Sequence, residues 1–129
     1  MEYKSFNELP IWQKSANLIE IVYKLTENFP KSEQYNLVSQ IRRASVSVAG
    51  NIAESWGRFY YADKVRVLYI ARGEIEEVRS HLAIAKVLKF CSEQNYLVID
   101  RNYGELLNDL NKHKKSLINK NNQSSVLNP

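Results

Sequence analysis

Cysteine, glycine and proline are all scarce in this chain. Its 129 residues hold one Cys, four Gly and three Pro. The single Cys91 excludes an internal disulfide and suits a reducing compartment. Few turn formers leave little room for hairpins, and the apolar spacing calls for no β-strand. No run approaches the ~18 consecutive apolar residues that span a bilayer, and MEYKSFNELP at the start has no apolar h-region. A cytoplasmic protein without membrane contact is expected. Phosphate-cradling loops of the GxGxxG or GxxxxGK type are missing, as is a GxSxG elbow. The two histidines, His81 and His113, have no second His or Cys at ligand spacing, so neither a metal nor another cofactor is expected. Glu74, Glu76 and Glu77 lack the Glu-x-x-His pairs of a bundle di-metal site. These gaps argue for a protein that is not an enzyme.

What is present is helical periodicity. A chain of this length makes one domain. Ile11, Ser15, Leu18, Val22, Leu25 and Phe29 recur at 4-3-4-3-4 spacing, and Pro30 ends that element because the residue before a proline disfavours helical geometry. Ser32 is a suitable N-cap for a second helix running to about Gly57. The third helix carries Leu68, Ala71, Ile75, Val78, Leu82 and Ala85; the fourth, capped by Ser92, carries Tyr96, Ile99, Tyr103, Leu106, Leu110 and Leu117. Helices are placed at about 9–29, 33–57, 62–91 and 93–118. Short links between them favour an all-α, up-down-up-down antiparallel four-helix bundle over residues 1–118. From Asn119 the tail KNNQSSVLNP shows no periodic apolar pattern and reads as disordered.

The second helix is the unusual one. Ile41, Ala44, Val48 and Ile52 fall within roughly 80° of arc and form ordinary core. On the opposite side Val46, Gly50, Ala53 and Gly57 form a seam of small residues where Lys and Glu would be usual. Glycine inside a helix costs about 1 kcal/mol relative to alanine, so close approach of another helix should offset Gly50. Two sources remain open. One is a neighbouring subunit, with Glu54 beside the seam and a homo-oligomer as the result. The other is the third helix of the same chain, since a turn near residues 59 and 60 sets Gly50 opposite Tyr69 and Gly73 opposite Val46.

Charge supplies the remaining signal. The chain has a formal net charge of +4, which is only mildly basic. Between Ile41 and Arg72 stand six basic residues, Arg42, Arg43, Arg58, Lys64, Arg66 and Arg72, against Glu54 and Asp63. Such a surface can release counterions from a phosphate backbone, and Phe59, Tyr60 and Tyr61 beside Arg58 could stack on unpaired bases. The competing explanation is structural. Glu76 lies four residues after Arg72 and three before Arg79, as in a helix-surface ion network; aromatics in a short loop commonly close the end of a bundle core.

Three stretches also carry a resemblance: IWQKSANLIEIVYKLTENFP, YNLVSQIRRASVSVAGNIAESWGR and IARGEIEEVRSHLAIAKVL. Together they resemble the bacterial four-helix-bundle proteins named after 23S ribosomal RNA intervening sequences, over roughly residues 9–90. Ser55 stands where that family usually has glycine, and Gly50 where serine is common. The resemblance implies an antiparallel four-helix bundle that assembles into a ring, with five subunits favoured, and it supplies no established catalytic activity. That family is similar in turn to the accessory protein of diversity-generating retroelements, which implies RNA or an RNA–DNA intermediate, or a reverse transcriptase or other protein, as partner. By position Gln40, Arg42, Arg43, Asn51, Glu54 and Arg58 match its signature. Two functions follow as expectations. One is a nucleic-acid-binding oligomer that uses Arg42, Arg43, Arg58, Lys64, Arg66 and Arg72. The other is a protein-interaction scaffold whose arginines and Glu54 pair across subunits.

Overall fold

A computed structural model describes residues 2–127, with side chains through residue 123. Four helices carry the chain: α1 (Pro10–Thr26), α2 (Leu37–Gly57), α3 (Tyr61–Val87) and α4 (Glu93–Leu127). Single 3-10 turns at Phe6–Glu8 and Lys31–Glu33 precede α1 and α2. Each helix packs on the next and α4 closes back on α1, while among the described residues no Cα atoms of either diagonal pair come within 8 Å of each other. The result is a square up-down-up-down bundle, with α2 and α3 the most closely associated pair.

Most of the expected core is buried; Leu25 and Tyr96 are only partly so, and Leu9, Leu37 and Val38 join it. Ile41, Ala44, Val48 and Ile52 of α2 meet Leu68, Ala71, Ile75, Val78, Leu82 and Ala85 of α3, with Tyr103, Leu106 and Leu110 of α4, all buried. From α1, Ile11, Leu18 and Val22 complete the interior, and Phe29 drops into it from the following turn.

Helix ends depart from the sequence expectation for local reasons. Ahead of α1, Glu8 reaches back to accept the Ser5 N–H at 2.9 Å, and Pro10 takes the first helical position, where a missing N–H is harmless. Residues 27–29 were expected in α1 but lie outside it. The Asn28 and Phe29 N–H groups bond three residues back, to Leu25 and Thr26, because Phe29 precedes Pro30. α2 starts at Leu37 rather than 33, and Asn36, not Ser32, is its N-cap. No side chain from Lys31 to Asn36 is buried, so core packing does not hold that segment on the helix axis.

The turn between α3 and α4 is a Schellman motif. Phe90 N–H reaches Ala85 O at 2.9 Å and Lys89 N–H reaches Lys86 O at 3.0 Å. Lys89 occupies the left-handed position with φ of 62°, a place that favours glycine. Phe90 then packs against Phe29, ring centroids 5.8 Å apart. Ser92 caps α4 as expected, accepting the Asn95 N–H at 3.0 Å. α4 continues to Leu127, past Asn119, where the sequence pattern places the start of a disordered tail. No proline interrupts the stretch after Ser92 until Pro129. Each residue added to an existing helix gains one hydrogen bond without a new nucleation step, so propagation needs no apolar stripe. Residues 128 and 129 of that tail lie outside the described residues.

Candidate functional site

Basic residues from Arg42 to Arg72 were expected to form one patch, and the bundle distributes them. Arg42 is a clamp on the end of α1. Its Nε donates to Thr26 Oγ1 at 2.9 Å, a second nitrogen donates to the Tyr23 carbonyl at 3.3 Å, and the guanidinium lies 4.4 Å from the Tyr23 ring centre. A helix C-terminus leaves carbonyls without donors, and a planar cation satisfies them well. Lys64 performs the same task for α2. Its ammonium donates to Trp56 O at 2.7 Å and Ser55 O at 3.3 Å, while Ser55 Oγ donates back to Lys64 O at 2.8 Å. Partial burial lowers the Lys64 pKa. These two cations are engaged inside the chain.

The other four are separated. Arg43 stands with Gln40 and Ser47 on α2 across a cleft from Glu74 and Glu77 of α3. Burial first, and then repulsion from Glu77, raises the Glu74 pKa, while Arg43 and His81 oppose the shift. Arg43 therefore faces carboxylates. Arg58 pairs with Glu54 one turn earlier at 2.6 Å, which raises its own pKa through that hydrogen bond. Arg66 and Arg72 are exposed but sit roughly 120° apart around α3. Further along α3, Arg79 turns to α4 and grips both carboxylate oxygens of Asp100, at 2.8 and 3.3 Å.

Of the three loop aromatics, only Tyr61 is partly buried. Phe59 and Tyr60 are exposed and meet edge to face with centroids 5.0 Å apart, so they do not close the bundle core.

The seam on α2 has a simpler geometry. Val46 is 46% exposed, Gly50 and Gly57 are exposed, and Ala53 is partly covered. A Cβ placed on Gly50, Gly57 or Gly73 would meet no atom within 4 Å. This corrects the expectation that Tyr69 recovers the cost of Gly50 inside the chain. Tyr69 instead lies beneath Lys114 of α4, whose ammonium is 3.8 Å from the ring centre. The hairpin register is sound, but an α-helix turns residues at one level to different sides, and both seams face outward.

A second outward stripe escaped the sequence reading. Tyr69, Ile70, Ile84 and Val87 of α3 are all between 44% and 74% exposed. With Gly73 they span roughly 100° of that helix. Their spacing of 14 residues from Ile70 to Ile84 was a usable signal, masked by the stronger core pattern on the same helix.

A family model for the 23S rRNA-intervening sequence protein matches residues 7–112. The chain belongs to that family. This intervening-sequence protein is also similar to a solved structure from Bacteroides thetaiotaomicron, described as a protein with unknown function from the S23 ribosomal protein family. The two share 23% identity with a TM-score of 0.73, covering 81% of this chain and 98% of the other. At that identity the likeness shows the fold. No match to a curated protein was found, and the likeness to a retroelement accessory protein is not carried by these matches. Among the described residues of this family member, no three His, Cys, Asp or Glu are grouped to hold a metal ion, and no helix is long and apolar enough to cross a membrane.

Proposed function

We propose that this intervening-sequence protein is a non-catalytic, self-associating helical module whose assembled form docks other macromolecules in the cytoplasm. The observation that carries the reading is the outward face of α2, where Gly50 and Gly57 have open space around them and Val46 is exposed. Val46, Gly50, Ala53 and Gly57 lie within roughly 60° of arc, a shallow channel along the helix. Large exposed side chains, Tyr69, Ile70, Ile84 and Val87, stand on α3. We take the small residues of α2 and these exposed apolar side chains of α3, between which Arg66, Glu77 and Ser80 are also exposed, as the two halves of the contact. A contact between unlike faces is heterologous and closes into a ring when the rotation permits. Five subunits is the size favoured by the family resemblance. Light scattering coupled to size exclusion tests this: a mass near five times 15.0 kDa is expected, and a 15 kDa species at tens of micromolar would remove the proposal.

A second reading, nucleic-acid binding, is favoured by one observation. Phe59 and Tyr60 are 85% and 67% exposed at the α2–α3 turn, beside Arg58 and about two helical turns before Arg66. Aromatics with neighbouring cations suit stacking on unpaired bases, and a ring would repeat that tip in every subunit. The contact set is then Arg58, Phe59, Tyr60 and Arg66, with Arg42 and Lys64 left to their helix ends. Phe59→Ala with Tyr60→Ala is expected to weaken binding to single-stranded RNA by about tenfold or more without changing the mass. Absence of wild-type binding at ~50 mM salt, where phosphate contacts are strong, would eliminate this reading.

A further inference from the structure

At the end of the bundle where α2 passes into α3, a cleft of about 440 Å³ opens between that turn, the N-terminal segment and the outer half of α4. Its cations are Lys64 and Lys120, with His113 between α4 and the turn; its flat walls are Tyr3, Trp56 and Tyr61. The one carboxylate among the lining residues is Glu2, which is exposed. We infer that this cleft binds a nucleoside monophosphate, with its phosphate toward Lys64, His113 and Lys120 and its base against the aromatic walls.

Three features lead to that ligand class. The cations converge from two helices that are far apart in sequence, and their positions are fixed differently. Lys64 is held by Ser55 O and Trp56 O, and an ammonium has three donors, so one remains for an anion. Lys120 is exposed and can follow a ligand inward. The volume lies within the range of small-molecule sites, about 300–1,000 Å³, and inorganic phosphate would leave most of it empty. Aromatic rings with cations nearby are the usual surroundings of a base bound without sequence readout. The inference does not depend on self-association, because the cleft lies within one chain.

His113 reports on occupancy. Its pKa is lowered by burial first, then by Lys120 and Lys64; Tyr3, Tyr61 and exposed Glu2 are the other titratable groups lining the cleft. A bound phosphate places negative charge beside the ring and favours imidazolium. By proton NMR of the full chain, adenosine monophosphate is expected to raise the His113 titration midpoint by about one unit. Adenosine should leave it in place, and inorganic phosphate should act only at much higher concentration. Lys120→Glu, on the outer surface of α4, should weaken the nucleotide at least tenfold while circular dichroism stays native. A short 5′-phosphorylated oligoribonucleotide tests the other source of the same chemistry: stronger binding than the mononucleotide identifies a strand end as the ligand. The inference is overturned if neither nucleotide moves His113, if inorganic phosphate acts at the same concentration as the nucleotide, or if Lys120→Glu leaves affinity unchanged.

Discussion

Replacing Gly50 with leucine sets two quantities of opposite sign against each other. Within one chain the substitution is favourable. A Cβ at Gly50 meets nothing within 4 Å, the position is interior to α2, and leucine is a better helix former by close to 1 kcal/mol. Unfolding entropy near 2.1 cal/mol/K per residue gives about 0.27 kcal/mol/K for this chain, so the isolated subunit should melt about 4 °C higher. In the proposed assembly the same side chain would stand in the face of α2 that we assign to the neighbouring α3. Overpacking a close contact costs about 1–3 kcal/mol, and a ring incurs that penalty at every interface. Gly50→Leu should therefore lower the mass to that of one subunit while the helical spectrum is retained. Light scattering gives the mass. Circular dichroism melts at two protein concentrations distinguish the linked states, since assembly makes the midpoint concentration-dependent. If the variant keeps the wild-type mass and melts higher, the face is open to water in solution and the channel argument fails.

Other expectations concern the single chain. Arg79→Met removes the two-pronged contact to Asp100 and leaves a carboxylate only 22% exposed; a loss of about 1.5–3 kcal/mol is expected in denaturant melts, and no loss would mean the pair is solvent-screened. Tyr103→Phe should be neutral or stabilise by up to about 1 kcal/mol, because the Tyr103 hydroxyl is buried with no hydrogen-bond partner among the described residues; a clear loss of stability would reveal a partner. Lys89→Gly should raise stability by about 0.5–1 kcal/mol by relieving the positive φ, measured in the same melts, and a lower midpoint would contradict the Schellman assignment.

Local spacing alone determined the number of helices, their order and their core. An apolar residue every three or four positions leaves one face per helix to bury, and short links make neighbours antiparallel. Ile41, Val48, Ile75, Leu82, Leu106 and Leu110 were legible for that reason, and the Ser92 cap was legible because it depends only on the four consecutive residues from Ser92 to Asn95. Periodicity does not report where a long side chain finds its partner. Arg42 and Lys64 looked like members of a phosphate-binding surface, yet one closes α1 and the other closes α2, through carbonyls 8 to 19 residues away. Gly50 looked as though Tyr69 could cover it, and only the rotation of each helix within the bundle shows both faces turned outward. The cleft near His113 joins residues from opposite ends of the chain, so no window along the sequence contains it. Helix formation is decided within a few residues, whereas the field and partners around a charge are set by elements that meet only when the bundle closes.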